Sequence, residues 1–231
     1  MAFSWFENVK ASRKLTIFAT PNVTGAWKTV FDDAVKEFNR LSRDAGLGIR
    51  LDDTGTTKPD PTSWNKGANV QFDVAAGSVH EETLIAGNGK LISEFTETID
   101  GKALHGRTLV PRFVDDKGVA RIFRAYIYVP ATPMFTVGHT GSQFDREAGN
   151  GVKLFIAVHE MLHACGLDDS DHSTSIDPDF FVGQPQPTPG ATASQDKLQV
   201  RFEPRLNLPF DPPKDPLLLA GTTARKIKSV W

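Results

Sequence analysis

The chain has 231 residues, 39% of them hydrophobic and 23% charged, and its 26 Lys and Arg against 28 Asp and Glu give a formal net charge of −2. This is the balance of a soluble globular protein long enough to bury a sizeable core, and it leaves no electrostatic footprint for nucleic acid or an anionic membrane. No apolar run approaches the roughly 20 residues of a membrane span, and the single cysteine, Cys165, excludes an intrachain disulfide and fits a reducing compartment.

The opening stretch "MAFSWFENVKASRKLTIF" lacks the basic-then-apolar order of a secretory signal. It predicts a cytoplasmic or non-classically exported protein, or one whose leader lies outside this sequence. "KLTIFAT" (Lys14–Thr20) predicts a first strand. Trp27, Val30, Phe31, Ala34, Val35, Phe38 and Leu41 then recur at the helical period, with Asp, Lys, Glu and Arg on the opposite face. Thr24 is the expected N-cap of this helix and Gly46 its terminator. "IRLDD" reads as a second strand, and "VQFDVA" (Val70–Ala75) alternates like a half-buried one. "RTLVPRFV" and "VARIFRAYIYVP" flank Asp115–Gly118, which is a hairpin signal.

A second helix is expected over Val152–Cys165. Beyond Gly166 the character changes. "QPQPTPG" (Gln184–Gly190) and "LPFDPPKDP" (Leu208–Pro216) are too rich in proline for continuous helix or central strand. "LQVRFEP" predicts a short edge strand and "PLLLAGTTARKIKSVW" a short closing helix. The expected fold is α+β: a twisted mixed sheet, a long N-terminal helix and a second, buried helix. We expect one domain over 1–231, with an upper subdomain of about 14–166 and a small irregular C-terminal subdomain of about 167–231.

The second helix carries the chemistry. In "LFIAVHEMLHACGLDDSDH" (Leu154–His172), apolar residues clothe His159, Glu160 and His163 nearly all round, as in a buried helix. Residues four apart stand about 40° apart around a helix axis, so His159 and His163 project from one face and can converge on one metal ion. Glu160 is rotated by about 100°. From there it reaches a water on the metal without ligating the metal, which is the mechanical content of H-E-x-x-H. A buried carboxylate is costly unless compensated, and a dication beside it compensates. A similar start, "HEETL" at His80, has Leu84 where the second His belongs.

Gly166 is where a helix ends cheaply in the left-handed conformation and turns the chain back. In the extended pattern H-E-x-x-H-x-x-G-x-x-H the third ligand comes ten residues after the first, which here is Asp169. His172 lies three residues further on and is the alternative third ligand. The acidic run also fits a solvated loop or a structural Ca²⁺ site.

"HEMLHACGLDD" resembles the active-site signature of the metzincin zinc peptidases, in the variant with Asp in the third ligand position. The order strand, long helix, strands, hairpin, motif helix is similar as well. The resemblance implies a zincin-like fold and one catalytic Zn²⁺. It also implies an antiparallel edge strand along which a peptide or protein substrate lies extended, for which Arg121–Pro130 is the candidate. One feature departs from the family. Metzincins carry a Met in a turn beneath the zinc, whereas the methionines here are Met1, Met134 and Met161, with none after the motif.

The expected activity is that of a monomeric zinc-dependent endopeptidase. His159, His163 and Asp169 (or His172) hold Zn²⁺, and Glu160 is general base to a metal-activated water. The alternative is a non-catalytic zinc-stabilised binding module or an inactive protease homologue. Such a protein needs the ligands but not Glu160. Tyr126 and Tyr128 are expected to pack and line the cleft, His105 and His139 to lie at the surface or in loops, and Cys165 to sit in the core.

Overall fold

The structure is a computed structural model that describes residues 3–60, 66–85, 90–114, 118–139, 142–167, 182–183, 217–219 and 221–231. In chain order, a two-residue strand β1 (Ser4–Trp5) and a short helix α1 (Glu7–Ser12) lead into β2 (Lys14–Ala19), the long helix α2 (Gly25–Asp44), β3 (Arg50–Asp52) and β4 (Val70–Ala75). A hairpin follows, β5 (Gly77–Ile85) and β6 (Lys90–Ile99), then β7 (Arg107–Leu109), β8 (Arg112–Val114), β9 (Ala120–Ile122) and β10 (Ala125–Pro130). A second hairpin, β11 (Met134–His139) and β12 (Ser142–Glu147), precedes the helix α3 (Asn150–His163). Two short strands, β13 (Val182–Gly183) and β14 (Leu218–Leu219), and the helix α4 (Gly221–Val230) complete the described elements.

Five strands form the central sheet in the order β3-β2-β4-β10-β7. The first four run parallel, and β7 runs antiparallel to β10. Parallel neighbours need a crossover, and α2 supplies the one between β2 and β3. The α2 stripe read from the sequence is the buried stripe, from Trp27 through Leu41, with Ser42 added. Thr24 is the N-cap residue by backbone, at φ −126°, but its side chain makes no capping bond. Gly46 has φ +62°, a conformation that glycine adopts without strain.

Strand β10 shows how the layers are arranged. Ala125, Ile127 and Val129 face the helices and join the main core, which also takes in Leu15, Ile17, Val70 and Phe72. Tyr126 and Tyr128 face the other way, against Val79 and Phe95 of the β5–β6 hairpin and Leu109 of β7. Helices α2 and α3 pack against each other, and α3 also meets β10 and β7. Leu217 and the C-terminal residues Ala224, Ile227 and Trp231 belong to the same core as α2 and α3.

Two expectations change. The runs around Asp115–Gly118 do form a hairpin, but each is broken into two strands. β8 pairs with β9 beside β1, while β7 pairs with β10 in the central sheet, and the register slips by one residue between the two pairings. Pro111 sits at the break, where its missing N–H cannot continue a ladder. As a consequence Arg121–Pro130 is not the edge strand. Its second half, β10, lies between β4 and β7 and has every residue buried, so both of its backbone edges are used. Among the described residues the antiparallel edge strand is β7.

The opposite edge of the sheet is closed. Asn39 of α2 donates to Leu51 O at 2.9 Å and accepts from Leu51 N at 2.8 Å, filling the outward backbone groups at the middle of β3. "LQVRFEP" and both proline-rich segments lie outside the described residues. Among the described residues, no helix is long and apolar enough to cross a membrane.

Candidate metal centre and active-site cleft

Helix α3 is buried along most of its length, so its end must be finished by hydrogen bonds from the protein. Trp5 Nε1 donates to Ala164 O at 2.9 Å, Trp231 Nε1 to Cys165 O at 2.7 Å, and the Phe3 amide to Gly166 O at 2.7 Å. Gly166 takes φ +109°, and a Cβ there would stand 2.1 Å from Phe3 O. Glycine is therefore required both by conformation and by this contact. The turn brings Leu167 O within 3.1 Å of His163 Nδ1.

That last contact sets the chemistry of His163. The imidazole is buried, and Nδ1–H donating to Leu167 O fixes the tautomer with the lone pair on Nε2. His163 Nε2 and His159 Nε2 lie 3.2 Å apart. Two ligand nitrogens on a tetrahedral zinc, each at about 2.0–2.1 Å, stand about 3.3–3.4 Å from each other. His163 thus has the tautomer, and the pair the spacing, of zinc ligands.

Glu160 is buried, with 3% of its surface exposed. Its carboxylate Oε2 accepts a hydrogen bond from the Thr108 hydroxyl at 2.6 Å. Its Cγ passes over Gly106, where a Cβ would come within 2.7 Å. Among the described residues no three of His, Cys, Asp or Glu gather as one ligand set, so Glu160 does not stand with the His pair as a third ligand. Asp169 and His172 lie outside the described residues.

A cleft runs along the outer side of β7, lined by Phe95, the run from Arg107 to Arg112, and Leu167. Thr108 and Leu167 thus link the cleft to Glu160 and His163 respectively. Arg107 is 3.9 Å from Glu97, and Arg112 stacks its guanidinium over the Phe3 ring.

His105 and Cys165 lie where the sequence predicts, whereas His139 and the tyrosines differ. His105 is exposed in a bend. His139 ends β11 rather than lying in a loop. His80 is exposed on β5 and contacts Thr96 and Glu94. Cys165 is fully buried, and burial pushes its thiol well above the ordinary range. Tyr126 and Tyr128 are core residues under the β5–β6 hairpin. Tyr128 donates to Glu81 at 2.8 Å, and burial beside that carboxylate pushes its phenol far up.

Thr108, Gly106, Trp5, Trp231 and the Leu167 carbonyl were not singled out from sequence. They act on the motif from far along the chain or through the backbone, where spacing carries no signal. No protein-family model matches the chain, and no curated protein sequence does either.

Proposed function

We propose that the chain is a zinc-dependent endopeptidase of zincin type, related in plan to the metzincins. The observation that carries this reading is the pair of Nε2 atoms, 3.2 Å apart, with His163 held by Leu167 O in the tautomer that a metal needs. His159 and His163 are the two ligands from α3, and Asp169 or His172 is the third. The antiparallel edge strand β7 beside Glu160 agrees with the strand that the family resemblance implies.

When bound there, zinc would supply Lewis acidity toward water and toward the scissile carbonyl. The protein's own residues do the rest. Among the described residues β7 pairs with β10 alone, and its outer side borders the cleft, where an extended peptide can add as a further strand. Glu160 takes a proton from the attacking water and returns it to the leaving amine. Glu160 is buried on α3, so its carboxylate is set apart from bulk water, which strengthens its interaction with charge forming nearby.

The test is elemental analysis of the purified protein together with a peptide-cleavage assay. About one Zn²⁺ per chain and measurable cleavage are expected. Glu160→Ala should lower turnover by about 10²–10⁴ and leave zinc content unchanged. A zinc content near zero that added zinc does not restore would sink the reading. Loss of zinc in the Glu160 variant would make Glu160 a ligand instead of a base.

A further inference from the structure

Thr108 is the middle residue of β7 and pairs through the backbone with Ile127 of β10. Its hydroxyl oxygen lies 2.6 Å from Glu160 Oε2 and 3.1 Å from the Glu160 carbonyl oxygen. A threonine hydroxyl has one proton to give. The shorter contact assigns it to the carboxylate, since a hydroxyl donating to a carboxylate sits at about 2.5–2.7 Å.

Gly106 confines the same side chain from the next position on that face of the strand. A Cβ on Gly106 would be 2.7 Å from Glu160 Cγ, 3.0 Å from Cδ and 2.8 Å from Tyr128 O. The Glu160 carboxylate is therefore set against the edge strand by one hydrogen bond and one close approach. Neither contact is needed to bind a metal, and neither belongs to the helix that carries the motif.

We infer that Thr108 is a positioning residue for Glu160: its hydroxyl fixes the rotation of the carboxylate, and so ties the general base to the strand along which the substrate pairs. The inference rests on the peptidase reading above. A general base must meet its proton within hydrogen-bond reach, and a carboxylate turned away from that line is a poor acceptor. A peptide pairing with β7 orders the strand that holds the base, so docking and base orientation share one element.

The experiment compares T108V, which removes the hydroxyl, with T108S, which keeps it. Each is read by kcat and KM on a fluorogenic peptide, by zinc content, and by the urea midpoint of the metal-free protein alone and combined with E160A. T108V should lose about 10- to 100-fold in kcat with KM and zinc content unchanged, the scale on which small misplacements act. T108S should recover most of that loss. In the metal-free protein, T108V should lower the urea midpoint more when Glu160 is present than in the E160A background, where only the bond to the backbone carbonyl of residue 160 is left to lose. A T108V enzyme that keeps its kcat, a T108S enzyme as slow as T108V, or equal midpoint shifts in both backgrounds would each overturn the inference. Should T108V fail to fold, T108A takes its place in the same comparison. A wild-type protein that binds zinc but cleaves no peptide overturns the peptidase reading and this inference together.

Discussion

Glu160 and Gly106 lie 54 positions apart, yet a single methyl group would bring them into collision. In Gly106→Ala the new Cβ meets Tyr128 O, a backbone atom of the central sheet that has little room to move, and Glu160 Cγ, which can rotate. The carboxylate gives way. We expect a fall of about 100-fold in kcat/KM with zinc content retained, measured against the wild-type protein. The third ligand is decided at the same scale. Gly166 turns the chain and Leu167 O already touches His163, so Asp169 needs to span only two more residues, or about 7 Å at full extension. Asp169→Ala should weaken zinc binding by orders of magnitude and His172→Ala should change it little; the reverse assigns the site to three histidines. His159, Glu160 and His163 were legible in the sequence because one helical period relates all three. Thr108 and Gly106 were not, because only the pairing of β7 with β10 brings them to the motif.

Helix α2 and strand β4 were read closely because each is specified by its own period, 3.6 or 2, in residues that touch one core. The position of a strand within a sheet is a different kind of information. The expected edge strand includes "AYIYVP", but β10 is buried at all six positions, and a nearly continuous apolar run is the mark of a strand covered on both faces. The β5–β6 hairpin that covers it carries Glu and Thr along its length, so its sequence gave no strong strand signal. The end of α3 is legible only in part: Gly166 is visible in the sequence, but the indole donors to Ala164 O and Cys165 O come from the distant Trp5 and Trp231. They set a prediction for the element. Trp231→Phe keeps an aromatic side chain, though a smaller one, and removes the donor to Cys165 O, leaving a buried carbonyl unsatisfied, which alone costs about 1–3 kcal/mol. Urea unfolding at constant zinc should show that loss, and zinc affinity should fall with it, because the same turn presents Leu167 O to His163. Unchanged stability would mean that another donor reaches the carbonyl.

At the scale of the whole molecule, one core joins the N-terminal Trp5, the α2 stripe, the sheet, α3 and the C-terminal Ile227 and Trp231. Trp5 and Trp231 therefore close on the helix that carries the candidate ligands, and order at that helix is tied to this core. A ligand that binds the folded state alone stabilises it by mass action, about 2.7 kcal/mol at a hundred times its dissociation constant. Zinc should accordingly raise the thermal midpoint of the metal-free protein in one cooperative transition, and a chelator should reverse the rise. The size of the rise separates the roles of the motif residues. His163→Ala removes a ligand together with the bond to Leu167 O, so it should abolish the zinc-dependent rise as well as lowering the midpoint of the metal-free protein. Glu160→Ala should keep the rise, since a base that does not ligate contributes little to affinity. Differential scanning calorimetry of the three proteins, each with zinc and with chelator, reads both effects. If Glu160→Ala lost the rise along with His163→Ala, the carboxylate would be part of the ligand set, and its place against Thr108 would have to change when metal binds.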